Sequence, residues 1–343
     1  MDLALVTGAS GFVGANVART LLSKKLKVRA LIRSTSDQRN IADLDIETAP
    51  GDLRDPDSLA AAAKGCRYVF HVAADYRIWV PDPESMTASN VQGTANILIA
   101  AAKAGAERIV VCSSVAAIRP VDGGVADEGS RYDRQDDIPG VYKRSKWLAE
   151  QEALRLAARG LPVVVVNPSA PIGPLDIKPT PTGKIIVDFL NRRMPSYVDT
   201  GLNVVHVADV AEGHWLAALK GRVGERYILG GENLTLKQIL DILAEETGLP
   251  APRFKTPFAL AFAVGLIDTA RLMLFGGEPV APLDAVRMAR HRMFYSPEKA
   301  VRELGLPRTP ARDALRDAVR WFCENGYAPR HPRWREDSCL RTS

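Results

Sequence analysis

The chain is short of the groups that build metal and thiol sites. Four cysteines, Cys66, Cys112, Cys323 and Cys339, are spread over 343 residues without metal-ligand spacing. Their low density points to a reducing compartment. Five histidines, His71, His206, His214, His291 and His331, are scattered, and none sits in an HExxH motif. No metal site is expected, and a metal hydrolase is disfavoured. No GxSxG nucleophile elbow occurs. Excess charge is small: 45 basic against 40 acidic residues give +5, with no long Lys/Arg run outside the C-terminal region. That balance serves solubility and attracts anionic ligands, and it does not read as a nucleic-acid surface. Long apolar runs are also missing. Phe258–Ile267 gives ten apolar residues before Asp268 and Arg271 interrupt, too few to span a bilayer. The plain reading is a packed helix. The alternative is an apolar wall or lid touching a greasy substrate or a membrane surface, which leaves a peripheral membrane contact open. A strand starting at Leu3 leaves no room for a signal peptide, so a cytoplasmic protein is expected.

What the chain does have is LALVTGASGFVG, Leu3 to Gly14. Leu3–Val6 reads as a buried strand, Gly8, Gly11 and Gly14 follow at spacings of three, and Phe12–Leu22 has a helical pattern. The turn needs residues without side chains, and free helix N-terminal amides favour phosphates. Strand, glycine turn and helix in this order form a dinucleotide fingerprint in its proper context, although the spacing is GxxGxxG.

Apolar residues make up 46% of the chain, enough for a sizeable core. Strands are expected at 27–32, 46–49, 68–72, 108–112 and 162–166. Helices are expected at 56–64, 85–104 and 142–159. This alternation predicts a doubly wound parallel Rossmann sheet of the α/β class over residues 1–167. NPSAPIGPLDIKPTPTG, from Asn167, is too rich in proline for a regular element and is a natural substrate wall. A smaller, mostly helical substrate lobe is expected over 168–328, with elements near 204–220 returning to the first unit. Its helices are expected at 184–193, 209–219, 235–247, 257–275, 282–291, 297–304 and 309–325, with strands at 204–207 and 225–229. Residues 329–343 read as a loose tail.

Tyr142 and Lys146 lie four apart in YKRSK and share a helix face. A nearby ammonium lowers a phenol's pKa, and a tyrosine so tuned passes protons to or from an alcohol oxygen. Ser114, at the end of the 108–112 strand, is placed to donate to the same oxygen. A surface Tyr, a solvated Lys and a packed Ser are the plain alternatives. Cys112 on that strand reads as a structural thiol, and His71 and His206 as core histidines.

VTGASGFVG, GDLRD (Gly51–Asp55), FHVAA (Phe70–Ala74), NVQGT (Asn90–Thr94), Ser113–Ser114 and YKRSK together resemble the extended short-chain dehydrogenase/reductases over nearly the whole chain. AADYRIW, YKRSKWLAE, VVNPSAPIGP, DIKPTPTG and TGLNVVHVADVAEGH are most similar to the bacterial hopanoid-associated sugar epimerases. The plant dihydroflavonol reductases share VTGASGF and an arginine after the second strand. The resemblance implies Ser114, Tyr142 and Lys146 as a catalytic triad, with Asn90 supporting the helix and a proton relay. It implies a dinucleotide held by Gly8, Ser10, Gly11, Phe12, Val13, Arg33, Asp52, Leu53, Ala73, Tyr142, Lys146, Pro168 and Ser169. It also implies a homodimer through the helices at 85–104 and 142–159. Three endings share one half-reaction: epimerisation, ketone reduction or alcohol oxidation. A dinucleotide-binding sensor without catalysis is a further alternative. A dehydratase is disfavoured, because Val115 and Ala116 stand where those enzymes carry Asp–Glu after the serine.

An acid after the second strand would pair with the ribose hydroxyls of NAD. Arg33 stands there instead, with Ser34, Thr35 and Arg39 close by, which favours NADP(H) over NAD(H). Asp37 bending back to the ribose, or Arg33 stacking on adenine, is the competing reading. Leu202 replaces the arginine that meets a diphosphate in nucleotide-sugar relatives, and Ala208 replaces an acid before Asp209. Substrate contacts are expected from Tyr76, Arg77, Trp79 and Asn167. A sugar, polyol or lipid-linked small molecule is the expected substrate.

Overall fold

The structure is a computed structural model that describes residues 1–74, 83–275, 286 and 290–329. Its first half alternates strand and helix. β1 (Leu3–Thr7), β2 (Lys27–Ile32), β3 (Glu47–Pro50), β4 (Tyr68–His71), β5 (Arg108–Cys112) and β6 (Val163–Pro168) are separated by α1 (Phe12–Ser23), α2 (Pro56–Ala63), α3 (Pro83–Lys103) and α4 (Val141–Ala158). Val163–Val166 is a run of four β-branched residues, all fully buried, as a strand covered on both faces requires.

The second half adds β7 (Ala170–Ile172), α5 (Pro181–Leu190), β8 (Ser196–Val198), β9 (Gly201–His206), α6 (Val207–Lys220) and β10 (Arg226–Leu229). Then come β11 (Glu232–Thr235), α7 (Leu236–Thr247), β12 (Phe254–Thr256), α8 (Phe258–Phe275), β13 (Arg292–Met293), α9 (Glu298–Leu304) and α10 (Ala311–Glu324). β10 returns to the first unit. The large sheet is wholly parallel, in the order β3-β2-β1-β4-β5-β6-β10, and its direction of winding reverses between β1 and β4. Ligands bind at the carboxyl edge of such a switch point. α1, α6 and α9 close one face of the sheet, and α2, α3 and α4 the other.

A separate core forms where α10 lays its apolar stripe (Ala311, Ala314, Leu315, Ala318, Phe322) against α5 and α7. α7 begins with a capping box, Thr235 with Gln238, and ends at Gly248 in the left-handed region. The proline-rich stretch is more regular than expected. β6 runs through Pro168, and β7 follows it and pairs with β9 alone. Proline is tolerated on such an edge because no ladder bond is asked of its missing N–H. The expected helix at 282–291 falls mostly outside the described residues, as do Tyr76, Arg77, Trp79 and all of the tail beyond residue 329.

Candidate active site

The glycine turn is fixed by close approach. Gly8 has φ +71°, and a Cβ there would sit 2.7 Å from the Ala73 amide nitrogen. A Cβ on Gly14 would fall 2.0 Å from the Gly8 carbonyl oxygen. The Gly11 N–H donates to that carbonyl at 2.9 Å, and Gly11 is the N-cap of α1 with no side-chain cap. The amides of Phe12 and Val13 therefore open α1 towards the turn, the arrangement that suits a pyrophosphate. These residues fit a dinucleotide. Buried Asn40 ties the turn to the second lobe, donating to the Ser10 carbonyl at 3.3 Å and the Leu175 carbonyl at 2.8 Å.

In the loops after β2 and β3, Arg39 is spent on Asp37 at 2.7 Å, and Arg54 on Asp52 at 2.9 Å. Each pairing holds its carboxyl down, to about 2. Arg33 is exposed at the end of β2, close enough to Asp52 to help depress it, and has no ion pair among the described residues. Leu53 packs on Gly93 of α3, and its carbonyl accepts from Asn96 at 2.8 Å.

β5 and α4 bring Ser114, Tyr142 and Lys146 to the same sheet edge. The Ser114 hydroxyl lies close enough to Tyr142 to pull its phenol down, but burial outweighs this and moves the phenol above its ordinary value. The sequence expectation was the opposite. Lys146 is buried, its ammonium is disfavoured by that burial, and Nζ donates to the Cys112 carbonyl at 2.9 Å. The Ser114 Oγ accepts from the Ala116 N–H at 3.1 Å, which leaves its proton to donate. Asn90 donates to the Ser145 hydroxyl at 3.1 Å, and Ser145 donates to the Tyr142 carbonyl at 2.9 Å, so α3 braces the start of α4. Burial pushes the Cys112 thiol up to about 11 and keeps it protonated.

His71 lies behind this row. Its ring nitrogens meet Thr7 at 2.8 Å and Thr94 at 3.0 Å, and burial drops it to about 3. Thr94 spends its proton on the Asn90 carbonyl, so Nε2 of a neutral His71 carries the hydrogen. A cavity of about 10 Å³, room for roughly one water, is lined by His71, Asn90, Ser113, Lys146 and Glu150.

Glu150 was not singled out from the sequence. It lies one helical turn beyond Lys146 and is 0% exposed. Its carboxylate accepts from Ser113 Oγ at 2.5 Å, Asn167 Nδ2 at 2.6 Å and Arg226 at 2.7 Å. Asn167 also donates to the Ser114 carbonyl at 2.9 Å. α4, the end of β5, β6 and β10 are thus tied at one buried carboxylate beside the triad. YKRSKWLAE held the signal: a glutamate four residues past the lysine repeats the face of Tyr142 and Lys146.

The remaining expected residues are spread around this edge. Ala73 donates its N–H to Thr7 Oγ1 at 3.2 Å, against Gly8. Pro168 ends β6, and the Ser169 amide bonds the Leu229 carbonyl at 3.1 Å. Leu202 faces the apolar core of the second lobe. His206 caps α6 and meets Asp317 at 3.2 Å. A cavity of about 540 Å³ lies on the other side of α4, along Trp147, Gln151 and Leu154, and none of the three triad residues lines it.

A parallel doubly wound sheet, a glycine cradle under α1 and a Ser–Tyr–Lys row at the carboxyl edge define a dinucleotide-dependent enzyme of the extended short-chain type. The chain belongs to the NAD dependent epimerase/dehydratase family, which it matches over residues 4–230. It is 49% identical to a Synechocystis protein named "Putative dihydroflavonol 4-reductase", covering 95% of this chain and 96% of that one. It is 38% identical to sterol demethylase protein B of Methylococcus capsulatus, covering 94% and 98%. Among solved structures it resembles a nucleoside-diphosphate-sugar epimerase from Pseudomonas aeruginosa, with TM-score 0.80 and 30% identity over 95% and 99% of the two chains. Solved relatives at about a quarter identity hold NAD.

Proposed function

We propose that the protein interconverts a secondary alcohol and its ketone on a sugar or polyol carrying apolar bulk, in the manner of the hopanoid-associated epimerases. NADP(H) is its preferred dinucleotide. The observation that carries the reading is the gathering of Ser114, just past β5, with Tyr142 and Lys146 on the first turns of α4, the Ser114 hydroxyl lying close enough to act on the Tyr142 phenol, at the sheet edge that also carries the glycine cradle. A bound nicotinamide dinucleotide supplies the hydride acceptor or donor. Tyr142 holds the proton that goes to, or comes from, the substrate oxygen. Ser114 donates a hydrogen bond to that oxygen as its negative charge develops. Lys146 holds its ammonium one turn away, anchored on the Cys112 carbonyl, to face a ribose and the phenol.

Leu202 in the apolar core argues for a substrate other than a nucleotide sugar, since no cation stands there to meet a diphosphate. The sterol named in the Methylococcus relative supports apolar bulk. Buried Val115 and Ala116 argue against a dehydratase, which needs a second acid and base at those positions. Arg33, exposed and without an ion pair among the described residues, supports NADP(H), while the NAD of solved relatives supports NAD(H) as the alternative. A second reading, net ketone reduction of the dihydroflavonol reductase type, is favoured by Tyr142 keeping its proton and by the Synechocystis relative.

The test is incubation with NADPH or NAD and a panel of polyol, polycyclic and nucleotide-sugar substrates. Inversion of a carbinol carbon without net dinucleotide change supports the epimerase, and stoichiometric NADPH loss supports the reductase. Turnover of nucleotide sugars alone overturns the substrate proposal.

A further inference from the structure

α8 is apolar on both sides and turns one apolar stripe outward. On a surface helix the apolar stripe faces the protein and the polar face meets water. Here Leu260, Ala263, Val264 and Ile267, spaced i, i+3, i+4 and i+7, are all exposed, Leu260 to 57% and Ile267 to 70%. Leu266 is exposed beside them. The less exposed side carries half-buried Phe258, Ala261 and Phe262, buried Gly265 and a buried acid, Asp268, which Arg271 meets at 2.9 Å. Single exposed apolar residues are ordinary on a protein surface, but a contiguous helical stripe of them marks a surface that something covers.

The flank of the stripe is cationic. β12 leads into α8 and carries Phe254, 76% exposed, between the exposed cations Arg253 and Lys255. Asp199 takes Lys255 at 2.7 Å and Arg292 at 3.3 Å. Two cations thus share one carboxylate, and exposed Arg253, just before the same short strand, adds a third positive charge next to the apolar stripe. A second copy of this chain would bring the same excess of positive charge against itself. An anionic surface would be attracted by it.

We propose that α8 and Phe254 form a docking surface for an anionic lipid bilayer, on which the enzyme sits without spanning it. Leu260, Val264, Ile267 and Phe254 enter the boundary between headgroups and acyl chains, and Arg253, Lys255 and Arg292 meet lipid phosphates. No helix among the described residues is long and apolar enough to cross a membrane. The inference does not depend on the substrate reading, because binding to lipid is measured without turnover.

The test is flotation of the full chain with vesicles of phosphatidylcholine alone and of phosphatidylcholine with 30% phosphatidylglycerol, a composition of roughly the charge that polybasic surfaces respond to. The wild type floats with the anionic vesicles, and added salt weakens it. L260E/I267E lowers the bound fraction about tenfold, and R253E/K255E reduces it on anionic vesicles, while both variants keep the wild-type circular dichroism and dinucleotide binding. These are exposed positions, so loss of binding with an intact fold is the expected pattern. Equal flotation with neutral vesicles overturns the charge argument. No flotation with either vesicle overturns the proposal, as does a wild-type dimer that L260E/I267E converts to monomer without any lipid effect.

Discussion

Arg226 on β10 and Glu150 on α4 form a 2.7 Å ion pair in which the carboxylate is wholly shut from solvent. The other Glu150 oxygen receives Ser113 and Asn167, and Asn167 reaches on to the Ser114 carbonyl. Breaking a buried pair by removing one partner leaves a charge unmatched and costs about 3–5 kcal/mol. Glu150→Ala and Arg226→Ala are each expected to lower stability by that order in urea denaturation. The paired change Glu150→Leu/Arg226→Leu should cost well under the sum. Additivity within about 0.5 kcal/mol would mean that the two groups do not act as a unit.

The same carboxylate holds the loop that carries Ser114. Glu150→Gln keeps the shape and some hydrogen bonds, so a folded variant is expected, with kcat reduced and KM little changed. A fall in dinucleotide affinity of the same size as the fall in kcat would place Glu150 in the cofactor site and not behind Ser114.

Burial lifts the Tyr142 phenol above its ordinary value. The phenol is then protonated across neutral pH, ready to give a proton to a ketone oxygen. Ketone reduction should be level through neutral pH and fall only in alkali, above about pH 10. Alcohol oxidation should rise with pH over the same range. The stability sign follows: the unfolded chain ionises this phenol first, so its contribution is intact below about pH 10 and is lost as pH rises towards the folded value. Reduction rates that fall through pH 6–8 would contradict the raised phenol.

Arg33, the exposed cation at the end of β2, has no ion pair among the described residues, while Asp37 and Asp52 are held by Arg39 and Arg54. Arg33→Ala is expected to weaken NADPH about tenfold or more in fluorescence titration, the worth of a charge-assisted hydrogen bond of about 1.5–3 kcal/mol. NADH should change little. Equal loss for both dinucleotides would mean that Arg33 stacks on adenine instead of holding a phosphate.

The glycine turn could be read from the sequence because strand, turn and helix are adjacent there. Tyr142 and Lys146 could be read because helical spacing alone puts them on one face. The network at Glu150 could not: Arg226 lies 76 residues away and reaches α4 only once β10 has returned to the sheet edge. Asn40 bridges the turn to Leu175 across 135 residues in the same way. The shift at Tyr142 was read with the wrong sign because the charge four residues away is visible in sequence, whereas burial is not. β7 was hidden by Pro171 and the prolines that flank the strand; Pro171 is harmless because β7 pairs with β9 alone. The outward stripe of α8 could be seen only as composition, ten apolar residues, until the fold showed which of them face out.

The most direct test of the account is transfer of deuterium from C4-labelled NADPH to a ketone substrate, compared between the wild type and Tyr142→Phe. Labelled carbinol is expected from the wild type. Label transfer is expected to fall by roughly 10²–10⁴-fold in Tyr142→Phe, the usual worth of a general acid, with NADPH affinity unchanged. Label transfer at the wild-type rate in Tyr142→Phe would contradict the proton role given to Tyr142.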